Sequence, residues 1–432
     1  MRPGKSSEAG NEKRRMTESG KSGSKKREGK DPLDSLRIGA VEEEKKMKPG
    51  PPVKTANCTH RKRCGGCQYS ELPYAEQLGI KEKRVRRLLG AFGPVQPIVG
   101  AEEPLYYRNK VTASFGFRNG KTIMGIYEQS THKIVPIDHC LIQNREADRV
   151  THIIRKLCIS FKLKAYDEAT GYGLLRHVMI RTAHRTGEIM VVLVTVSPIL
   201  PSAKNFVKAL RERCPEITTV IQNINPQRTS MVLGPREKVL FGKGYIEDVL
   251  CGLRFRISSG SFYQVNPVQT ERLYQTALAL AGLKKTEIVL DAYCGVGTIG
   301  MIASQFAGEV IGVELNGDAV RDAKVNARQN QIDNISFYAN DAGVFLDDLS
   351  RTGKRIDVIF MDPPRTGSTE AFIESACGVR PSRIVYISCN PETLARDLRI
   401  FKRYRYKAEV IIPVDQFPLT EHVETMVLLS RK

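Results

Sequence analysis

Asp291-Ala292-Tyr293-Cys294-Gly295-Val296-Gly297-Thr298-Ile299-Gly300 is the stretch that decides the fold. It continues the apolar run Ile288-Val289-Leu290, which reads as a buried strand, and it opens a helical pattern. Glycines at such a strand-to-helix turn let the backbone bend tightly and approach a ligand. The spacing satisfies G-x-G-x-x-G, which by itself equally suits a nicotinamide enzyme. Downstream, strand and helix patterns alternate regularly. Candidate strands cover 287–292, 310–314, 335–338, 357–361, 383–387, 408–414 and 423–430. This predicts a doubly wound, largely parallel α/β domain over residues 259–432.

Upstream, residues 93–258 change character. Short alternating or apolar runs at 110–117, 121–127, 177–182, 188–196 and 218–223 are separated by turns such as Arg118-Asn119-Gly120 and Arg185-Thr186-Gly187. With helical patterns at 146–161 and 202–214, this is expected to be a mainly antiparallel α+β unit, and 243–257 leads out of it. Residues 53–92 hold three close cysteines and a charged helical stretch at 74–89. Residues 1–52 are rich in Gly, Ser, Lys and Glu and poor in aromatic and β-branched residues, so they are expected to form a disordered basic tail.

The chain has 432 residues and a formal charge of +20, from 67 Lys and Arg against 47 Asp and Glu. The first fifty residues hold 14 basic and 9 acidic side chains, so most of the excess lies on the remainder. A basic folded surface favours a polyanion, and nucleic acid is the commonest one. No run of 18 apolar residues exists to span a membrane, and the polar N-terminus lacks a secretory signal core, so a cytoplasmic protein is expected. Ten cysteines in a large chain of this kind point to metal ligation and catalysis before disulfides.

Acidic residues close the candidate strands. Glu314 ends the second, where a carboxylate can accept bonds from ribose hydroxyls, and Asp341 follows the third, in reach of an adenine edge. The fourth delivers Met361-Asp362-Pro363-Pro364-Arg365, a stiff loop aimed into the ligand-binding edge of the sheet. A nicotinamide enzyme has no particular use for Asp-Pro-Pro there. The fifth strand opens into Ser388-Cys389-Asn390-Pro391-Glu392, which sets a cysteine at the mouth of the strand, placed for attack. If the final strand runs antiparallel beside the fifth, Glu424 at its start meets Cys389. Thiolate addition at C6 of a uracil would make C5 nucleophilic toward a methyl sulfonium, and a base must then remove the C5 proton.

Together with Ser261-Phe262-Tyr263-Gln264-Val265-Asn266 and Phe417-Pro418-Leu419-Thr420-Glu421-His422-Val423-Glu424, these segments resemble the RNA uracil-5-methyltransferase family. The resemblance implies an S-adenosyl-L-methionine-dependent methyltransferase domain of Rossmann-like fold. It implies Cys389 as nucleophile and Glu424 as proton-abstracting base. It further implies cofactor contacts by Gln264, Tyr293, Glu314 and Asp341, with Asp362 between cofactor and target base.

Cys58, Cys64 and Cys67 form C-x5-C-x2-C, and Cys140 is the candidate fourth ligand. Spacing alone leaves zinc and a [4Fe–4S] cluster open, and His60 or His139 can complete a zinc site instead. The resemblance implies the cluster, because ribosomal RNA members of the family carry C-x5-C-G-G-C and a distant cysteine around [4Fe–4S]. The basic stretches Arg61-Lys62-Arg63 and 81–87 suit phosphate contacts. Many ribosomal members also begin with a small RNA-binding β-barrel, for which residues 1–52 show no strand pattern.

The expectation is therefore methylation of uridine C5 in RNA, with 23S ribosomal RNA as the substrate and the transfer RNA T-loop as the alternative. An iron–sulfur RNA-binding or assembly protein without activity is the non-enzyme alternative, and it leaves Cys389 and Glu424 without a role. No membrane contact and no obligate protein partner is implied.

Overall fold

The computed structural model describes residues 58–118, 121–129, 131–168 and 170–431. The expected tail at 1–52 lies outside the described residues. The described chain opens with a short helix α1 (Arg61–Cys64) and the longer α2 (Tyr74–Leu89). Seven strands follow: β1 (Lys110–Arg118), β2 (Lys121–Tyr127), β3 (Ile134–Pro136), β4 (Leu175–Thr182), β5 (Ile189–Thr195), β6 (Ile217–Ile224) and β7 (Arg236–Phe241). They form one sheet in the order β3-β2-β1-β4-β5-β6-β7. Every neighbouring pair is antiparallel except β5 and β6, which run parallel. Helix α4 (Ala203–Arg213) makes that crossover, and α3 (Arg145–Ser160) lies between β3 and β4 in sequence.

Burial explains why β5 reads as a continuous apolar run and why β4 carries Val178-Met179-Ile180 at its centre. Val178, Ile180, Val191 and Leu193 face α3 and α4 in one core. The alternate residues Met179, Met190, Val192 and Val194 enter a second core that belongs to the C-terminal part of the chain. A strand covered on both faces has no polar alternation to show. The expected stretch at 243–257 is a hairpin of β8 (Tyr245–Leu250) and β9 (Leu253–Ser258), and it packs into that second core.

The C-terminal sheet is built from β10 (Ile288–Ala292), β11 (Glu309–Glu314), β12 (Ile335–Ala339), β13 (Val358–Met361), β14 (Arg383–Ser388), β15 (Tyr406–Val414) and β16 (Glu424–Arg431). Their order is β12-β11-β10-β13-β14-β16-β15. The first five are parallel, and β16 enters antiparallel to both β14 and β15. Helices α5 (Pro267–Ala281), α6 (Thr298–Ser304) and α7 (Gly317–Gln329) cover one face. Helices α8 (Ala342–Arg351), α9 (Glu370–Gly378) and α10 (Pro391–Arg403) cover the other, joined by Val85 and Leu89 of α2. The strand order reverses between β10 and β13, which opens a crevice at their carboxyl ends. No helix among the described residues is long and apolar enough to cross a membrane.

Candidate active site and a cysteine-lined cavity

At the crevice, each glycine of the first turn has a separate reason. Gly295 has φ +55° and donates its N–H to Glu314 Oε2 at 3.1 Å. Gly297 has φ +83°, and a Cβ there would lie 2.7 Å from the Phe337 ring. Gly300 donates to Asp291 Oδ2 at 2.7 Å, and a Cβ would meet that oxygen at 2.9 Å. Asp291 is buried under the turn, and burial pushes its carboxyl up to about 8. Tyr293 adopts φ +64°, stacks obliquely on Phe372 and lies 3.2 Å from Ser368 Oγ through its hydroxyl.

The other expected cofactor contacts lie at the same edge of the sheet. Glu314 ends β11 and also accepts from Asn316 N at 2.8 Å. Asp341 follows β12, where its Oδ1 caps α8 by accepting from Gly343 N and Val344 N. Gln264 is buried before α5, its carbonyl accepting from Asn109 Nδ2 at 3.0 Å. Its side chain bonds Tyr274, a buried phenol whose hydroxyl is flanked by Asp362, Asp291 and Thr298. Sequence reasoning missed Tyr274, which looks like any aromatic on an amphipathic helix. It also missed Leu315, 75% exposed beside Glu314. An apolar side chain held in water directly after an acidic strand end was the available signal. Bare backbone, strand-end carboxylates and an exposed apolar rim fit a nucleoside-bearing cofactor such as S-adenosylmethionine.

Across the crevice, β14 and β16 pair with Ser388 opposite Thr425, so the next residues outward are Cys389 and Glu424. Cys389 is half-buried and precedes α10, whose N-cap Asn390 accepts from Glu392 N. Glu424 is 4% exposed, and its Oε2 has no hydrogen-bond partner. Burial, and then the nearby Asp362, push the Glu424 carboxyl well above its ordinary value, against the pull of Arg365. Burial pushes Asp362 up to about 7. The Cys389 thiol is pushed up to about 11, by burial first and then by Glu424 and Asp362, while Arg365 pulls it down. The fold therefore gathers a thiol, two carboxylates and one guanidinium. Arg365, Cys389 and His422 line a cavity of about 260 Å³ at this point.

Cys58, Cys64, Cys67 and Cys140 are free and half-buried, and all four line one cavity of about 430 Å³. Arg61, Arg108 and Lys110 share its wall. Two glycines let the chain turn between Cys64 and Cys67. Gly65 caps α1 at φ +66°, where a Cβ would lie 2.8 Å from Gln129 Oε1. The Cys67 thiol is pushed up to about 12, chiefly by burial, with Cys140, Cys64 and Cys58 adding to it. Among the described residues, no group of three His, Cys, Asp or Glu side chains is drawn together as a metal site. His139 turns to Tyr106 and Asp148. One expectation is corrected: Lys81 faces no phosphate, because it is fully buried and bonded to Asp415 Oδ1 at 2.6 Å. Cys158, Cys214, Cys294 and Cys377 are buried.

Residues 73–432 match the tRNA (uracil-5-)-methyltransferase family model. The chain is 42% identical over 382 residues to an uncharacterized RNA methyltransferase of Halalkalibacterium halodurans, covering 87% of this chain and 83% of that protein. It is likewise 42% identical over 383 residues to one of Bacillus cereus, covering 88% and 83%. Among solved structures, it resembles the Pyrococcus abyssi tRNA (uracil-54, C5)-methyltransferase in complex with S-adenosyl-L-homocysteine. That match has a TM-score of 0.71 and 27% identity, and covers 84% of this chain and 85% of the other. The chain belongs to the tRNA (uracil-5-)-methyltransferase family of S-adenosylmethionine-dependent RNA methyltransferases.

Proposed function

We propose that the protein methylates uridine at C5 in RNA, with Cys389 as nucleophile and Glu424 as base. The observation that carries this reading is the meeting of Cys389 and a partnerless Glu424 oxygen across one antiparallel register. S-adenosylmethionine, when bound at the glycine turn, supplies an electrophilic methyl group to C5. The target uridine leaves its stack to enter the crevice. Cys389 loses its proton to water and its sulfur bonds C6, moving the C5–C6 π electrons onto C5 and O4. Arg365 favours the thiolate at that step. After C5 is methylated, Glu424 accepts the C5 hydrogen as a proton, the C5–C6 double bond re-forms and the S–C6 bond breaks. Asp362, whose carboxyl is also raised, stands close enough to Glu424 to bias which of the two carboxyls keeps a proton. Gln264, Tyr293, Glu314 and Asp341 hold the cofactor.

The substrate proposed is 23S ribosomal RNA, and the four cysteines hold a [4Fe–4S] cluster. What supports this is that four thiols and three cations line one cavity; loading a cluster would have to draw the thiols together, since no three of them stand as a metal site among the described residues. A second reading, the transfer RNA T-loop, is favoured by the similar structure, a tRNA uracil-54 enzyme. In the first test, Glu424→Gln accumulates a covalent RNA adduct that Cys389→Ala does not form; no adduct in Glu424→Gln rejects the mechanism. Mapping 5-methyluridine in ribosomal and transfer RNA of a deletion strain separates the two substrates. Anaerobically purified protein should hold about four irons per chain, and stoichiometric zinc would reject the cluster.

A further inference from the structure

The segment that leads into Glu424 is tied to the cysteine region along its length. Asp415 accepts from Lys81 Nζ at 2.6 Å and from the Tyr74 hydroxyl at 2.8 Å. Lys81 also reaches the Phe417 carbonyl, and the Tyr107 hydroxyl donates to the Pro418 carbonyl at 3.1 Å. Leu419 N donates to Gln77 Oε1 at 3.0 Å, and its carbonyl accepts from Tyr69 N at 2.9 Å. Glu421 N donates to Gln68 Oε1 at 3.2 Å. The Gln68 amide donates in turn to the carbonyl of Gly65, next to Cys64.

Leu419 is the unusual member. Its φ of +68° is a conformation that a side chain with a Cβ rarely adopts. Such strain persists where the surroundings over-determine it. Here they do: the side chain is 2% exposed, packed in a small cluster with Tyr107, Ile142, Cys67 and Cys140. It also lines the four-cysteine cavity. Five residues later comes Glu424.

We propose that Leu419 is a positioning residue that couples the cysteine-lined cavity to Glu424. Packed in the cluster that Cys67 and Cys140 border, it holds the strained turn, and the turn sets where Glu424 meets the substrate edge beside Cys389. Disturbing the cavity therefore releases the base while leaving the nucleophile, which sits on β14, in place. The inference rests on the reading of Glu424 as the base.

The experiment follows adduct, turnover and hydrogen exchange in the full chain with RNA and S-adenosylmethionine. Leu419→Ala lowers kcat about tenfold, changes KM less than about twofold and raises the steady-state covalent adduct several-fold. Cys140→Ser gives the same signature, and in both variants amide exchange over 415–424 quickens. Leu419→Met, which keeps the packing, behaves as wild type. Gln68→Ala removes an exposed contact and shifts the adduct in the same direction to a smaller extent, so the test survives a Leu419→Ala chain that does not fold. Adduct and turnover falling in parallel, or Cys140→Ser exchanging like wild type over 415–424, overturns the coupling. Glu424→Gln that traps adduct beside a Leu419→Ala that does not rejects the coupling alone. A Glu424→Gln control without adduct rejects the base reading, and the coupling with it.

Discussion

Ser388 and Thr425 face each other across β14 and β16, and that register brings Cys389 beside Glu424 although 34 residues intervene. Burial makes the thiol hard to ionise, and Glu424 and Asp362 add to that. With its pKa near 11, roughly one molecule in ten thousand carries the thiolate at pH 7. Alkylation of Cys389 by iodoacetamide should then rise about tenfold per pH unit between pH 7 and 10. Arg365→Met removes the group that favours the thiolate and slows alkylation at every pH. Glu424→Gln removes a repelling carboxylate and speeds it, increasingly as pH rises and Glu424 ionises. A flat profile, or Arg365→Met matching wild type, would contradict this electrostatic account.

Asp291 has a raised pKa of about 8, so it holds a proton that the unfolded chain releases near pH 4. Its contribution to stability is full below about pH 4 and is lost as pH rises through about 8. Asp291→Asn abolishes one titration and keeps an oxygen for Gly300 N. Its melting temperature, relative to wild type, should climb by on the order of a few degrees between pH 5.5 and 8.5. A difference independent of pH would mean that Asp291 is ionised throughout.

The Lys81–Asp415 pair is fully buried. Desolvation lowers the lysine and raises the aspartate, so burial opposes both charges and their attraction only offsets it. Removing one partner strands the other. Lys81→Met should cost about 3–5 kcal/mol in denaturant unfolding, whereas the double variant Lys81→Met/Asp415→Leu should recover most of that loss. Equal destabilisation of the single and double variants would show that packing, not charge, governs the site. The double variant also lacks the contacts to the Phe417 carbonyl and Tyr74, so its turnover should stay reduced even where its stability returns.

Much of this architecture is legible because burial writes itself into sequence. Strands β10, β11, β13 and β14 are covered on both faces and read as apolar runs ending in acid, glycine or cysteine. Helix α2 has the expected bounds. Strand β3 escapes a reading of the sequence, being three residues long and ending in proline, and so does β7, a largely exposed edge strand. The parallel pairing of β5 and β6 is not foreseeable either, since alternation carries no direction. At the site, Cys389 and Glu424 can be paired from sequence only on the condition that β16 runs antiparallel to β14. Asp341 shows what residue type leaves open: a strand-end carboxylate can meet a ligand, cap a helix or do both, and its Oδ1 caps α8. Lys81 and Leu419 are opaque, because a buried cation and a left-handed leucine both depend on partners more than 300 positions away.

The glycine turn offers a test that separates backbone strain from side-chain clash. Gly297 and Gly282 both occupy left-handed conformations, at φ +83° and +53°. Gly282 ends α5 with nothing within 4 Å of an added methyl, so Gly282→Ala should cost about 1 kcal/mol of stability and leave ligand binding unchanged. Gly297→Ala meets a larger backbone cost, its φ lying beyond the left-handed well, and also drives its methyl to 2.7 Å from Phe337 Cζ. Either the turn or the ring must shift, and the turn forms the floor of the crevice. Calorimetry should find S-adenosylhomocysteine bound at least about tenfold more weakly by Gly297→Ala. Adding Phe337→Leu relieves the clash and not the φ, so affinity recovered in the double variant assigns the loss to the ring. Affinity that stays low in the double variant assigns it to the backbone, and unchanged affinity in Gly297→Ala would remove this turn from the cofactor site.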